Sequence, residues 1–357
     1  MPHTDKHMTR SSNIDVRTVR GFGEEWSTFT QAGLSEEERA ELFSKYFALI
    51  DWSEKPRRVL DFGCGSGRWD VLVARLVEDL VAVDASAEAL KVARRNVDAP
   101  NVFFVECTAE TLPFPDGHFD LIFSLGVLHH VPDTEGALRS LARKLRPGGT
   151  LLLYLYYALD NRPIWFRALW KGSDMVRRLI CSLPFPLRYG LSQLIALCVY
   201  WPLARIARYL PVSESWPLRS YANRSFYVMR TDALDRFGTK LEKRFTKQQI
   251  VEMLCSVGLD KIQFSNAEPY WVCSAVKSGS LAGITRGSEP GDRGQERGDQ
   301  PSLGGPVVCR GIDRRFSGTS GVHTPEVVRE AVVSCRGGGV RLMGSLFRLV
   351  STRTRQP

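Results

Sequence analysis

The sequence has few of the features that mark membrane-spanning, secreted or zinc-binding proteins. Its apolar stretch at 191–201 is shorter than the roughly 20 residues that a membrane-spanning helix needs. Met1–Arg20 is polar, so no signal peptide is expected. The eight cysteines form no C-x-x-C pair and are predicted to be reduced thiols. These absences favour a cytoplasmic protein without a bound metal.

Acidic residues are scarce in one part of the chain. The formal net charge is +9, yet residues 158–230 alone hold about eleven Lys and Arg against three acids. Residues 278–357 hold about twelve Arg, no Lys and seven acids, and about half of the glycines. This last segment shows no periodicity and is predicted to be disordered. It is interpreted either as a dispensable extension or as a segment that binds RNA or anionic lipid.

The most informative segment is a glycine turn at 58–67. An apolar run ends in Asp61, and Gly63, Gly65 and Gly67 follow at alternate positions. This pattern predicts a buried strand, a tight turn without side chains, and a helix that begins near Ser66 and continues to about Val77. A ligand can approach the backbone N–H groups of such a turn closely. The alternative is a turn that only packs a helix on a strand.

A second acid lies where a nucleoside ribose is held in doubly wound folds. The apolar run 80–83 ends in Asp84, about 20 residues after the glycines. The two oxygens of a carboxylate match two adjacent hydroxyls. Asp84 could equally cap a helix that begins at Ser86.

Further apolar runs predict a parallel sheet with helices between its strands. Strands are expected at 102–105, 119–124 and 150–156, and a helix at about 133–145 that Pro147-Gly148-Gly149 stops. Strands that alternate with helices indicate an α/β fold, whose ligand lies at the carboxyl ends of the strands.

Six ordered segments resemble the class I S-adenosylmethionine-dependent methyltransferases, in the branch with a type 11 methyltransferase domain. The resemblance covers about 55–157 and resumes more weakly at 240–277. It implies a Rossmann-like, doubly wound sheet of seven strands, mostly parallel with the last strand antiparallel. The matching segments are 59–67, 83–86, 112–116, 119–122, 127–133 and 145–149.

The resemblance implies S-adenosyl-L-methionine as the cofactor and assigns its binding residues. Asp61 and Gly63 would line the methionine moiety, and Asp84 would hold the ribose. Gly65 and Gly67 would keep the turn open.

The adenine end departs from the family pattern. Ala85 would lie beside the ring, and the loop at Thr108 and Ala109 would contact the adenine amine. Thr108 stands where the family usually has an acid, so this contact would lack charge. Ser124, at the end of the fourth strand, would lie beside the reacting sulfonium.

His129 and His130 are the candidate catalytic residues. A histidine there could deprotonate an acceptor hydroxyl, or the pair could orient a loop. The fourth strand is not followed by the Asn/Asp-Pro-Pro-aromatic signature of enzymes that methylate bases, so a nucleic-acid acceptor is not expected. The sequence therefore favours methyl transfer to a small-molecule or lipid-like acceptor. The rival readings are an NAD(P)-dependent oxidoreductase and a non-catalytic cofactor-binding module.

Four parts are predicted along the chain. Residues 1–52 form an N-terminal tail and a lid helix that a capping box of Ser35 and Glu38 opens, and Trp26 is either a lid residue or a packing residue. Residues 53–157 with 241–277 form the methyltransferase domain. Residues 158–240 form a helical, aromatic and basic insert that caps the substrate, and its prolines at 184, 186, 202 and 211 are expected to interrupt its apolar stretch. Residues 278–357 form the disordered tail. Three roles stay open for the insert: a soluble lid, peripheral contact with an anionic membrane, or a dimer interface.

Overall fold

A central sheet of seven strands organises the protein. The computed structural model describes residues 13–31, 33–213 and 215–279. The strands are β1 (Arg58–Phe62), β2 (Asp79–Asp84), β3 (Val102–Glu106), β4 (Phe119–Leu125), β5 (Leu145–Tyr154), β6 (Leu259–Phe264) and β7 (Val272–Lys277). Their order across the sheet is β3-β2-β1-β4-β5-β7-β6. The expectations for 1–12 and for 280–357, which include nearly all of the tail, lie outside the described residues.

The first five strands run parallel, and β7 runs antiparallel to both of its neighbours. The predicted Rossmann-like sheet with an antiparallel last strand is therefore confirmed. Residues on both faces of the inner strands are buried, among them Leu60, Ile122 and Leu151 on one side and Val59, Leu121 and Leu152 on the other. This burial explains why the inner strands are continuously apolar.

Ten α-helices surround the sheet within the described part of the chain. Those nearest the sheet are α3 (Asp70–Val73), α4 (Ala87–Asn96), α5 (Thr134–Lys144) and α10 (Lys247–Ser256). Polar side chains cap α4, α5 and α10 at their N-termini: Ser86, Asp133 and Thr246 each accept a hydrogen bond from a backbone N–H of the first turn. Such caps stabilise a helix by about 1 kcal/mol each.

Two predicted elements differ from the structure. The helix after the glycine turn covers only Asp70–Val73, because turns occupy most of the segment expected to be helical. The helix before Pro147 does end at Lys144, but the Pro-Gly-Gly segment lies inside β5. There Phe119 pairs with Leu145 and Leu121 with Thr150, so the segment forms a bulge against β4.

The insert folds into the predicted helical cap. It contains α6 (Ile164–Ile180), α7 (Phe185–Ile195), α8 (Trp201–Tyr209) and α9 (Phe226–Gly238). A π-helical turn at Ala196–Tyr200 joins α7 to α8, so Phe185–Tyr209 is one helix of 25 residues. The prolines were expected to interrupt this segment. They do not, because Pro186 lies in the first turn and Pro202 follows the π-turn, which rearranges the backbone bonding.

Two helices precede the sheet: α1 (Val16–Thr28) and α2 (Glu36–Tyr46). Ser35 caps α2 by accepting a bond from the N–H of Glu38, as predicted. The Glu38 carboxylate does not complete the expected capping box, because it accepts from the N–H of Ser225 in the cap. Among the described cysteines, five are free thiols, but Cys255 is disulfide-bonded, which corrects the prediction for that residue.

Candidate functional site

A cavity of about 640 Å³ opens at the carboxyl ends of β1, β2, β3 and β4. It lies where the sheet order reverses between β1 and β4, the position at which doubly wound folds bind ligands. Of the predicted site residues, seven border the cavity: Gly63, Gly65, Asp84, Ala85, Thr108, Ala109 and His130. Asp61, Gly67, Ser124 and His129 are among the residues packed behind its wall.

The glycine turn has the backbone that its sequence requires. Gly63, Gly65 and Gly67 have φ values of +88°, +55° and +74°, in the left-handed region that favours glycine. A Cβ atom on Gly65 would lie 2.9 Å from the Trp26 ring, and one on Gly63 would lie 2.3 Å from Val127. The turn is thus close-packed on two sides, and its third side faces the cavity.

Asp84 fixes the glycine turn to the end of β2. One carboxylate oxygen accepts from the N–H of Gly65 at 2.9 Å, and the other accepts from the N–H of Ser86 at 2.8 Å. Each oxygen retains a second lone pair, so the carboxylate can still accept hydroxyl groups from the cavity. The helix cap predicted for Asp84 is supplied by Ser86 instead, and Asp84 holds the backbone of that cap residue while it can still bind a ligand.

Two buried carboxyl groups lie beneath the turn. Asp61 ends β1, and Asp70 begins α3. Burial raises the pKa of Asp61 well above its usual range, and the charge of Asp70 and a hydrogen bond with it raise this pKa further. Burial also raises the pKa of Asp70 to about 7. Oδ2 of Asp61 and both oxygens of Asp70 have no partner outside the pair. The raised pKa values keep at least one proton on the pair near neutral pH, and a cation bound at the turn would favour its release.

The loop after β3 contains the predicted adenine contact. Thr108 borders the cavity, but its hydroxyl lies 3.2 Å from that of Thr111, and its N–H donates to the same oxygen at 2.9 Å. Ser124 is fully buried and donates to the carbonyl of Phe62 at 3.0 Å, which joins β4 to β1. The structure thus gives Ser124 a role in holding the sheet beside the turn.

His130 presents one nitrogen without a partner. Its Nδ1 lies 2.6 Å from the carbonyl oxygen of Leu241, and a carbonyl can only accept, so Nδ1 carries the proton. Nε2 is therefore a free acceptor, and it is buried without a hydrogen bond. Burial lowers the pKa of His130, although Asp235 and the bond to Leu241 oppose this shift. The imidazole is consequently neutral at pH 7.

His129 occupies a different environment. It is fully buried and stacks on Tyr156 with ring centroids 3.8 Å apart. Burial, with His130 and Arg244 nearby, holds its pKa well below the usual value. It packs behind the cavity wall rather than lining it.

The far half of the cavity contains polar residues that the sequence pattern did not reveal. The Tyr156 hydroxyl donates to Asp235, and the Tyr221 hydroxyl donates to Asp232 at 2.8 Å. Arg244 lies over the Tyr156 ring at 5.1 Å. These residues come from β5 and its extension, the cap and the segment before α10, and no local motif links them.

The N-terminal helix α1 closes one side of the cavity. Trp26 lies against the glycine turn, and Arg68 lies over the Trp26 ring at 5.9 Å. Glu25 is buried beside them, and its Oε1 has no hydrogen-bond partner. Burial raises the pKa of Glu25 well above its usual range, and Asp235 and Asp232 raise it further. These contacts place Trp26 against the glycine turn, and both the lid role and the packing role stay predictions.

Comparison with known proteins identifies the domain that contains this turn. The model of a family described as a methyltransferase domain matches residues 60–153. The chain is 40% identical over 127 residues to the ubiquinone/menaquinone biosynthesis C-methyltransferase UbiE of Azotobacter vinelandii. The aligned segment covers 34% of this chain and 50% of that protein. The chain is 34% identical over 126 residues to the ubiquinone biosynthesis O-methyltransferase of Xanthomonas campestris pv. campestris, covering 34% and 52% respectively.

One solved structure of low identity also aligns with the chain. A crystal structure of an S-adenosylmethionine dependent methyltransferase from Mesorhizobium loti aligns with a TM-score of 0.41 and 17% identity, covering 68% of this chain and 99% of that one. The chain spans about half the length of the curated relatives it matches. Residues 60–153 form a methyltransferase domain, and the seven-stranded sheet with its antiparallel strand is the one that the resemblance to the class I S-adenosylmethionine-dependent family implies.

Proposed function

We propose that the protein is an enzyme that transfers a methyl group from S-adenosyl-L-methionine to a small-molecule or lipid-like acceptor. The observation that carries the proposal is a single cavity with two unlike ends. One end is bordered by the glycine turn, Asp84 and the Thr108 loop, and the other by the tyrosines and acids of the cap. A nucleoside cofactor fits the first end, and an acceptor fits the second.

The residues at the first end fit this cofactor. A cation at the methionine end of the cavity would favour ionisation of the buried pair Asp61 and Asp70, whose charge would then offset it. Asp84 would accept from the ribose hydroxyls, and Ala85 and Thr108 would border the adenine. The bound cofactor supplies a methyl group that its sulfonium already activates. The chain then has to align the acceptor, and orientation alone can lower such a barrier by about 7–11 kcal/mol.

His130 is proposed as the general base for an acceptor that carries a proton. His130 borders the cavity, its Nε2 has a free lone pair, and the bond from Nδ1 to Leu241 fixes the ring. A neutral, oriented imidazole is suited to receive a proton during attack on the methyl group. His129 would support this ring from behind, since their centroids lie 4.0 Å apart.

The acceptor end favours a flat molecule with polar substituents. Three tyrosines of the cap and of β5, namely Tyr154, Tyr200 and Tyr221, border it with Asp232 and Asp235. Aromatic side chains provide a large apolar surface, and their hydroxyls and the two acids can bond polar groups. The names of the two relatives refer to the biosynthesis of ubiquinone or menaquinone by C- and O-methylation, which supports an acceptor of this class.

Calorimetry followed by methyl transfer tests the proposal. Purified protein is expected to bind S-adenosylmethionine saturably, and Asp84→Asn to weaken binding by about 10- to 100-fold, since bonds to charged groups contribute about 1.5–3 kcal/mol. The exposed Asp98 provides the matched control, Asp98→Asn. Radiolabelled methyl groups should then enter the lipid phase of a fractionated lysate. Absence of saturable binding, or binding that NADPH displaces, would contradict the proposal.

A further inference from the structure

The cap carries an unusual concentration of exposed apolar side chains. Sixteen large hydrophobic side chains are exposed in the described chain, and all except Val16 lie between Ile164 and Leu210. Soluble proteins rarely expose apolar residues in one contiguous stretch, and such patches mark interaction sites. The cap therefore presents a surface that the rest of the described chain does not cover.

Helix α6 is amphipathic, but its apolar side faces outward and not toward the protein. Two of its three buried residues are charged and the third is Ile180: Arg177 pairs with Asp174 at 2.6 Å and donates to the carbonyl of Thr239 at 2.9 Å. Its exposed side is apolar, with Ile164, Met175 and Leu179 at 83%, 70% and 72% exposure. A helix at the surface of a water-soluble domain normally turns its apolar side inward. The outward apolar side of α6 implies an apolar environment outside the protein.

The helix Phe185–Tyr209 repeats this arrangement. Ser192, Ala196, Tyr200 and Ala204 are buried, while Leu187, Leu191, Leu194, Leu197 and Trp201 are exposed. By length and composition it is the one described helix able to cross a membrane. Polar contacts hold it along the cap instead: Gln193 accepts from Arg230 at 2.6 Å, and Arg188 donates to the carbonyl of Gly238. The helix therefore lies along the protein surface with its apolar side outward.

Exposed cations accompany these apolar side chains. Between Asn161 and Ser213 the sequence holds eight Lys and Arg and one acid, Asp174, which is buried. On α6 the exposed cations Arg167, Lys171 and Arg178 follow one edge of the apolar side of the helix, and the exposed Arg208 lies near the end of α8. Cations beside an apolar side match the headgroups and acyl chains of an anionic bilayer.

We propose that the exposed apolar side chains of α6 and of Phe185–Tyr209, together with these cations, form a docking face for the surface of an anionic lipid bilayer. The apolar side chains enter the boundary between headgroups and acyl chains, where Trp165 and Trp201 are also favoured. The face belongs to the same cap that borders the acceptor end of the cavity. Docking would thus present lipid-dissolved acceptors to the site, a role that rests on the proposed methyl transfer.

Vesicle flotation with the full chain tests the docking face. The protein is expected to float with phosphatidylglycerol vesicles and to bind phosphatidylcholine vesicles at least tenfold more weakly. The triple variant Leu169→Gln, Met175→Gln and Leu179→Gln should bind anionic vesicles at least tenfold more weakly than the wild type, because it removes apolar surface from the face. Val16→Gln, a change at an exposed apolar residue outside the face, should float like the wild type.

A charge variant separates electrostatic from apolar binding. Arg167→Gln with Lys171→Gln should weaken anionic binding by roughly fivefold per cation and make it less dependent on salt. Arg75→Gln with Arg95→Gln, at exposed residues away from the cap, is the control. No flotation, or unchanged flotation of the triple variant, overturns the proposal. A concentration-dependent dimer that the triple variant abolishes in ultracentrifugation also overturns it, in favour of a second copy.

The same variants separate this proposal from the proposed function. Binding of S-adenosylmethionine without vesicles is expected to be equal in the triple variant and the wild type, since the three side chains are exposed and far along the cap from the glycine turn. Failure of docking with intact cofactor binding rejects the docking face alone. If neither the wild type nor the variants bind S-adenosylmethionine, the proposed methyltransferase function is rejected.

Discussion

At the residue scale, the buried pair Asp61 and Asp70 makes the cofactor-free protein sensitive to pH. The pKa of Asp70 rises to about 7 in the folded protein from an ordinary value of 3.8. Between these values the folded state holds more protons than the unfolded chain, so the free energy of unfolding decreases as pH rises. The stabilisation is complete below the unfolded pKa and is lost as pH rises through the folded pKa.

Asp70→Asn should therefore remove much of the pH dependence between pH 4 and pH 7. The amide cannot ionise, and it can donate to Asp61 in place of the shared proton. Urea unfolding at about pH 5 and about pH 8, without cofactor, measures the difference. Asp98→Asn serves as the control because Asp98 is exposed. Parallel losses of stability in the wild type and Asp70→Asn would show that another group titrates.

His130→Asn should lower kcat by about 10²- to 10⁴-fold while leaving the KM for the acceptor nearly unchanged. Asn can still donate to Leu241 but lacks the free Nε2. In the wild type the base must be neutral, and its pKa lies below the ordinary 6.5, so activity should fall only under acidic conditions and stay constant above neutral pH. The variant should lose this acidic limb. His118→Asn, at the opposite end of β4, is the control.

At the element scale, α6 shows that one acid can have two unequal partners. Asp174 pairs with Arg177, whose side chain is 7% exposed, and with Arg178, whose side chain is 73% exposed. Arg177→Ala should destabilise the protein by about 3–5 kcal/mol, because it leaves Oδ1 of the buried Asp174 and the Thr239 carbonyl without a donor. Arg178→Ala should cost less than about 1 kcal/mol. Similar losses in thermal unfolding for the two variants would contradict this assignment.

The elements that the sequence predicted well are those with local signals. Strands β1, β2, β4 and β5 each contain an apolar run that is covered on both faces, and caps such as Ser86 fix helix ends. The 25-residue helix was not predicted because prolines ordinarily break helices, whereas here Pro186 lies in the first turn and the π-turn accommodates Pro202. The acceptor end could not be predicted, since Tyr156 and Asp235 meet only through the tertiary fold.

At the scale of the whole molecule, the N-terminal helices are attached to the cap. Arg188 of α7 pairs with Glu24 of α1, and Arg224 pairs with Glu41 of α2 at 3.1 Å. The hydroxyl of Tyr227 accepts from the N–H of Gln31 at 2.8 Å. The lid and the cap therefore form one connected layer over the cavity.

Arg188→Ala should loosen this layer. Arg188 is largely buried, so its loss leaves Glu24 without its inner partner, whereas Arg20, which pairs with the same acid, is 80% exposed. Hydrogen exchange of α1 should become faster in Arg188→Ala and stay unchanged in Arg20→Ala. The first variant should also bind cofactor more weakly because Trp26 covers the glycine turn. Equal exchange in both variants would mean that α1 is held by its other contacts.

The attachment of the lid to the cap has a consequence for turnover. In the proposed function Trp26 covers the cofactor end and the cap covers the acceptor end, so an opening that exchanges one ligand would also uncover the other. Spent cofactor and methylated product would then leave during the same opening. Because both products leave through this opening, we expect the opening motion and not the chemical step to limit the rate. The rate should then fall as solvent viscosity is raised.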